Sequence, residues 1–537
     1  MQKNPATMPV RSVGEWELTS GRKYANPFVD VVVEVTFTSP SGEAAIVPAF
    51  YDGEDTWRVR FNPDQAGEWT WAAMSRPRDP ELEQQGRFVV TGSNGRGFLR
   101  AVPGSAWGLR YESGEPCFVL GDTTYNLFGM AHCGEDVYSF MERRASQGFN
   151  LLRVRVPVSP FHPPRGYNQW QTRRTWPWGG SEQAPVFDRF NLDYFRTVDQ
   201  VLEKAESLGL GLEMIMEAWG FEFPFRSRDR FVPEWEELWM RYLIARYDAY
   251  NSVYFWTLMN EYEYYPDGDW RYNPVADRWA IRVARMVKGM APHGHIVAVH
   301  NGPIAPPFAR RFATDLHAVD AILYQTWGSR DAEYGWLAAG IEQDIRRSLE
   351  GWPGAAVMAE WGYERNPEFE LLLPSHEYCD EEHTRRGGWR GAFCALGIIH
   401  GFENSWGPWS RLHEDQVGLP YLLLVRRFFT EVVPFDQLAP AMELVVPAEW
   451  GLGEQPLALA AADRSIVTVY LPVGGDVTLA LPQGAGGYRG EWFDPLTGEL
   501  SPAKVEATAT AEEAHFAAPE GTHKGHPQDW VLVLRRS

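Results

Sequence analysis

Two glutamates, Glu261 and Glu360, close short apolar runs in this chain of 537 residues. Glu261 ends Ser252-Val253-Tyr254-Phe255-Trp256-Thr257-Leu258-Met259-Asn260-Glu261, and Glu360 ends Ala355-Ala356-Val357-Met358-Ala359-Glu360 ahead of Trp361. Apolar runs of this length read as parallel strands buried on both faces. In a (β/α)8 barrel the C-terminal strand ends are where chemistry is done. A pair of carboxyl groups at such ends suits cleavage of a glycosidic bond. One protonates the leaving oxygen, and in a retaining enzyme the other attacks the anomeric carbon. A single strand-end Glu is a weak signal, because strand ends often simply reach solvent. Two of them, on the fourth and seventh strand candidates of one barrel, are more specific.

The elements that must carry the pair can be read between residues 98 and 432. Strands are expected at Cys117 to Asp122, Asn150 to Pro157, Leu212 to Met216, Ser252 to Glu261, His295 to His300, Ala321 to Gln325 and Ala355 to Glu360, with Phe393 to Gly401 approaching the eighth. Helices fall between them. One is capped by Asn191 and carries Leu192, Phe195, Val198, Val201, Leu202 and Ala205 at helical spacing; others run from Pro233 to Tyr247 and from Trp279 to Met290. Residues 1–97 and 433–537 lack the helical period. Short strands such as Val31 to Phe37, Trp57 to Phe61, Ile466 to Leu471 and Trp530 to Leu534 alternate there with Gly, Pro and Asp turns. The expected fold class is α/β: a (β/α)8 TIM barrel flanked by an N-terminal and a C-terminal β-sandwich.

Lys plus Arg number 50 and Asp plus Glu 71, a formal charge of −21. That balance argues against nucleic acid and anionic membranes as partners. The 24 Trp, 22 Tyr and 29 Phe fit core packing and also a site that stacks sugar rings. The four cysteines, Cys117, Cys133, Cys379 and Cys394, form no CxxC pair and no cluster with histidine. No metal site and no organic cofactor is expected. Met1 to Ser20 has no apolar stretch of a secretory signal, so the expected location is the cytoplasm. The expected partner is an oligosaccharide or glycoside, and homo-oligomerisation is left open.

The central segment resembles the retaining glycosidases of clan A, which carry an Asn-Glu acid/base on strand four and a nucleophilic Glu on strand seven. Asn260-Glu261 and Glu360 match these positions. By the same resemblance, Arg155 in Val154-Arg155-Val156-Pro157 corresponds to the strand-two arginine that supports the nucleophile, Tyr324 to a strand-six tyrosine touching it, and Trp406 to the strand-eight tryptophan under the sugar. Arg153 has the same strand parity as Arg155, so both could point inward; Arg155 is preferred because it immediately precedes Val-Pro. Gly114 to Thr123 and Arg143 to Asn150 resemble the opening of the apiosidase-like family. Members often carry an N-terminal sandwich with the pattern of Trp57 to Trp69. Many end in a small collagen-binding-like sandwich containing a stretch like Trp492-Phe493-Asp494-Pro495-Leu496-Thr497-Gly498. The family usually has Trp where this chain has Tyr125, and some members use Asp in place of Glu261. Asp122 resembles a family residue that binds sugar hydroxyls; as a bare residue it reads equally well as a loop-capping Asp.

His300 with Asn301, ending strand five, and Gln325, ending strand six, are further candidates for substrate contact. Glu217 and Trp219 follow strand three and are placed near the pocket. His132, His162 and Glu263 are lesser candidates, and Trp176 and Trp178 read as a packed loop. The reading is a retaining glycoside hydrolase, exo-acting on short oligosaccharides or glycosides, with Glu261 as acid/base, Glu360 as nucleophile and Arg155 keeping Glu360 ionised. Two alternatives stay open: a non-catalytic carbohydrate-binding protein on a decayed barrel, and an inverting glycosidase.

Overall fold

The computed structural model describes all residues except 93–94, 159–169, 171, 218–229, 267–271, 303–305, 327–337, 365–378, 407–410, 482–486, 505 and 508–511, together with the side chains of 403, 404, 506 and 507. Its centre is a closed barrel of eight parallel strands. They are β1 (Leu120–Thr123), β2 (Leu151–Arg155), β3 (Gly211–Glu217), β4 (Val253–Met259), β5 (Ile296–His300), β6 (Ala321–Gln325), β7 (Ala355–Glu360) and β8 (Gly397–His400). β1 pairs with both β2 and β8, which closes the ring. Every residue of these strands is buried, which is why most of them read as apolar runs, with a few buried charged residues, rather than as strands with one polar face.

Helices on the outside are set by ordinary local signals. α1 (Val137–Gln147) starts at Asp136, whose side chain accepts from the Ser139 N–H. α2 (Leu192–Leu208) starts at Asn191, which accepts from Tyr194 N, and stops at Gly209 in the left-handed region at φ 64°. α3 (Pro233–Tyr247) and α4 (Pro274–Met290) carry proline in the first turn, where no N–H is needed. α5 (Ile341–Ser348) and α6 (Glu381–Ala392) follow β6 and β7.

Two larger sheets precede the barrel, besides the two-stranded sheet of Leu99–Ala101 and Leu109–Tyr111. The strands Gln2–Lys3, Gly14–Thr19, Thr56–Phe61 and Phe50–Tyr51 make the first. A five-stranded sheet built around Val32–Thr38 and Gly67–Arg76 makes the second. Val32–Thr38 alternates strictly between buried and half-buried residues, the period-two pattern of a strand with one face on a core. Phe37 and Phe61 stack across that core with centroids 4.2 Å apart. After the barrel come a six-stranded and a three-stranded sheet. The six-stranded sheet docks on α6, where Trp389 stacks on Tyr470 and Arg385 meets Asp529 at 2.9 Å.

The N-terminal sheets are tied to the barrel by a buried ion cluster. Arg60, on Thr56–Phe61, donates to both oxygens of Asp199 on α2 at 3.1 and 3.0 Å, to Glu15 at 2.9 Å and to the Arg246 carbonyl at 2.7 Å. Arg246, on α3, clamps the same Asp199 at 2.9 and 2.6 Å. Burial alone would raise the Asp199 carboxyl, but Arg246 and Arg60 override it and hold it down to about 2. A depressed carboxylate contributes stability that is complete above its unfolded value and is lost as pH falls through the folded one. The docking of sheets on barrel should therefore weaken between roughly pH 4 and pH 2. Asp199→Asn should remove most of that acid-sensitive component and lower the midpoint of thermal unfolding at pH 7. An unchanged pH-stability profile in Asp199→Asn would contradict the assignment.

Candidate active site

Glu360 ends β7, but strand parity alone does not aim it. The inward-facing residues of β7 are Ala355, Val357 and Ala359, which pack with Ala321 and Leu323 in the barrel interior. The register between β6 and β7 slips by one residue here, from Tyr324 opposite Met358 to Gln325 opposite Glu360. Ala359 is the extra residue. Such bulges re-aim side chains beside active sites, and this one turns Glu360 into the barrel mouth. There its Oε2 accepts from Arg153 Nη1 at 2.9 Å and from the Tyr125 hydroxyl at 3.1 Å, and its Oε1 accepts from Gln325 Nε2 at 2.8 Å. Glu360 is 5 % exposed, so these donors largely replace water.

Glu261 lies just past β4 in a left-handed conformation, φ 52° and ψ 54°. A side chain there costs roughly 1–2 kcal/mol, so something must hold it. Its N–H donates to His300 Nδ1 at 3.3 Å, and its carbonyl accepts from Tyr264 N at 3.1 Å. The turn Tyr262–Tyr264 that follows is braced from behind. Arg311 contacts Glu263 at 2.7 Å and donates to Asp277 at 3.0 Å, and Tyr262 donates to Asp277 at 2.9 Å. The Glu261 carboxyl is buried and held well above the usual carboxylate range, first by desolvation and then by the charge of Glu360; Arg155, Arg153 and a hydrogen bond from Gln325 oppose this.

His300 stands between the two acids. Its Nδ1 faces the Glu261 N–H, and its Nε2 is 3.7 Å from Glu360 Oε2. Burial, then Arg153 and Arg155, keep the ring well below the ordinary histidine range, so it is neutral. With Nδ1 accepting, the proton sits on Nε2, toward Glu360.

The structure alters several sequence expectations. The arginine on Glu360 is Arg153, not Arg155. Both face inward, but consecutive inward residues differ in height by about 6–7 Å. The long side chain of the deeper Arg153 therefore ends level with Glu360, while Arg155 folds over the Tyr125 ring, 3.9 Å from its centroid. Tyr324 does not touch Glu360. It has the outward parity of β6; its hydroxyl donates to Asp344 at 2.9 Å and is hydrogen-bonded to the Ser348 hydroxyl at 2.8 Å, both on α5. Gln325, one residue on, takes the inward place. Asp122 is fully buried, and its two oxygens accept from Arg144 at 2.8 Å and Ser405 at 2.9 Å. It ties β1 to α1 and to the segment that carries Trp406. Glu263 is spent on Arg311 and the Gly302 N–H, and His132 contacts Thr197 on the barrel exterior. Trp176 and Trp178 pack against each other, 5.3 Å between centroids. Glu217 is buried at the end of β3, where its carbonyl accepts from Asn260 N. His162 and Trp219 lie outside the described residues.

Asn260 is brought to the pair: its Oδ1 accepts from Arg153 Nη2. Asn301 accepts from Gln325 N at 2.7 Å and donates to its carbonyl at 3.0 Å, which fixes the end of β6. Trp406 closes one side of the mouth, stacked on Tyr363 at 4.8 Å with Tyr125 edge-on at 6.3 Å. Tyr125, Tyr363 and Glu213 are residues that the sequence reading did not place in the site. Burial pushes both tyrosines up, so their phenols stay neutral donors. Tyr363 fits only because a glycine, Gly401, follows β8; a Cβ on Gly401 would lie 1.7 Å from the Tyr363 ring.

A family model described as "Apiosidase-like, catalytic domain" matches residues 106–420. The chain belongs to the apiosidase-like family. Its enzymatic class is glycoside hydrolase. Residues 10–76 match a domain of unknown function, DUF5060, and residues 440–535 match a candidate collagen-binding domain of a collagenase. A candidate glycoside hydrolase from Bacteroides vulgatus ATCC 8482 is similar over 100% of both chains, at 17% identity and a TM-score of 0.72. A family 5 glycoside hydrolase from the same organism covers 82% of this chain and 93% of its own, at 16% identity and TM-score 0.60. At such identities the likeness speaks for the fold. No curated protein matches the chain. No helix among the described residues is long and apolar enough to cross a membrane.

The two inward arginines of this apiosidase-like barrel can be separated by experiment. Arg153→Lys loses the fork that reaches Glu360 and Asn260 together, and kcat/KM should fall about 100-fold, the cost of a small misplacement at a reacting centre. Arg155→Lys keeps a cation over Tyr125 and should cost less. The reverse ranking in steady-state kinetics would return the supporting role to Arg155.

Proposed function

We propose that the enzyme hydrolyses glycosides with retention, Glu261 acting as acid/base and Glu360 as nucleophile. The observation that carries this reading is the contrast between the two carboxyls. Glu360 is surrounded by the donors Arg153, Tyr125 and Gln325, which hold its two oxygens in the barrel mouth. Glu261 is buried against that charge and favours its proton. Environments that push two neighbouring acids apart assign their roles.

In the first step Glu261 gives its proton to the glycosidic oxygen as Glu360 attacks the anomeric carbon, forming a glycosyl ester and releasing the alcohol. Esterification removes the charge that disfavoured ionised Glu261, so Glu261 becomes the base that activates water in the second step. Arg153 and the Tyr125 hydroxyl, which aim Glu360 at the carbon, orient the ester oxygen as it leaves. His300 fixes the Glu261 backbone while staying neutral. Asn260, its carbonyl oxygen held by Arg153, offers its NH2 to a sugar hydroxyl, and Trp406 offers an aromatic edge to the ring. The substrate we infer is a short oligosaccharide or glycoside cleaved from its end. Size-resolved products at the earliest times should then be single sugars; a spread of intermediate lengths would point to internal cleavage.

Kinetics on aryl and alkyl glycosides test the roles. Glu360→Gln should fall to background on both. Glu261→Ala should lose about 10²–10⁴-fold on alkyl glycosides, the usual worth of a general acid. On nitrophenyl glycosides it should keep the first step, and azide should restore turnover. Full activity of Glu261→Ala on an alkyl glycoside would refute the assignment. A wild type that binds glycans and releases no reducing sugar would indicate a binding protein.

A further inference from the structure

A third carboxylate lies beneath the pair, and the two-step reaction does not call on it. Glu213 sits in the middle of β3 with no exposed surface. Thr257 on β4 donates to its Oε1 at 3.0 Å, and its Oε2 lies 3.5 Å from Arg153 Nε. Burying a carboxylate in a barrel carries a desolvation cost that an apolar residue of similar size would avoid. The arginine it faces has its other two edges committed: Nη1 points to Glu360 and Nη2 to Asn260. The Arg153 guanidinium thus spans the nucleophile candidate, the neighbour of the acid candidate, and Glu213.

We propose that Glu213 is a positioning residue of the glycosidase site, the permanent counter-ion that holds Arg153 in place while the charge on Glu360 comes and goes. This rests on Glu360 being the nucleophile. Before reaction, with Glu261 protonated, the cations Arg153 and Arg155 are balanced by Glu360 and Glu213. In the glycosyl-enzyme Glu360 is a neutral ester and Glu261 has passed its proton to the departing alcohol. The same cations are then balanced by Glu261 and Glu213. The site stays neutral throughout, and Arg153 always keeps one anion at its Nε edge. Without Glu213, Arg153 would lose its last carboxylate contact when Glu360 is esterified.

Among the described residues, the charged and titratable groups that face Glu213 are Arg153 on β2 and Glu360 on β7; burial pushes the Glu213 carboxyl up, and Arg153 and the Thr257 hydroxyl oppose this. Those that face Glu261 are Glu360, Arg155 and Arg153, with the neutral His300 ring at its backbone. Glu360 also faces Tyr125 and Tyr363, both neutral. Replacing Glu213 by its neutral isostere leaves both arginines underbalanced, which favours ionised Glu261. The acid then loses its proton at lower pH.

The test follows kcat/KM against pH on the methyl glycoside of whichever sugar a nitrophenyl panel identifies, for wild type, Glu213→Gln, Thr257→Val and Glu360→Gln. In Glu213→Gln the alkaline limb should move down by about one pH unit, the low end of what a neighbouring charge imposes, a roughly tenfold loss on that limb. Thr257→Val, which removes the hydroxyl that favours ionised Glu213, should move it in the same direction by less. A role in packing alone would lower activity equally at every pH and leave the limb in place, and that result overturns the proposal. If Glu213→Gln fails to fold by circular dichroism, Thr257→Val decides by the same criterion. Activity surviving in Glu360→Gln would instead mark failure of the nucleophile assignment, and the counter-ion argument would fall with it.

Discussion

A guanidinium with no exposed surface must be surrounded by acceptors, and Arg153 sets that demand at the mouth of this barrel. Its partners come from separate strands: Glu360 from β7, Asn260 from the end of β4 and Glu213 from β3. A cation that reaches so many strands fixes their relative heights, because a shift of one strand would leave a buried charge unpaired. The same cation donates to the Glu360 carboxyl where water hardly reaches. Beside it, burial first and then the charge of Glu360 raise Glu261. One buried arginine thus ties together the strand ends that carry the two glutamates.

The two glutamates reach the mouth by irregular backbone. A bulge at Ala359 turns Glu360 inward, and a left-handed residue turns Glu261. Both departures cost free energy and are held by surrounding contacts, the pattern expected of strain kept for function. For Glu261 the support is an outer buried network of Arg311, Asp277, Glu263 and Tyr262. Several acidic residues near the site therefore serve the backbone rather than the substrate. Glu364, beyond β7, is another. Burial pushes it up to about 7, although the Gly418 N–H and the Thr384 hydroxyl bond to it. It links α6 to the segment after β8.

Much of this architecture is visible in the chain itself. The β6 and β7 runs end where the apolar stretches end, and α3 spans Pro233–Tyr247 as its proline and its aromatic spacing suggest. The family follows from Gly114 to Thr123 and the matched segment around it. What escapes is anything decided by height or by irregular pairing. Arg153 and Arg155 share a parity, and only the length of the side chain against the rise of the strand tells them apart. Tyr324 and Gln325 differ in parity, and the resemblance to clan A points to the outward one of the two. Asp122 looked like a sugar ligand because a buried pair with Arg144 cannot be seen from one strand. Glu213 could have been noticed as a lone acid in Gly211-Leu212-Glu213-Met214-Ile215, level with Arg153 on the adjacent strand.

The central claim is that Glu360 forms a covalent bond to the sugar. The most direct measurement is the intact mass of the protein after incubation with a 2-deoxy-2-fluoro glycosyl fluoride of the preferred sugar, which slows release of the ester, followed by peptide mapping. The account predicts one added glycosyl unit, carried on Glu360. An adduct on Glu261 or another residue, or turnover with an inverted product and no adduct, would contradict it.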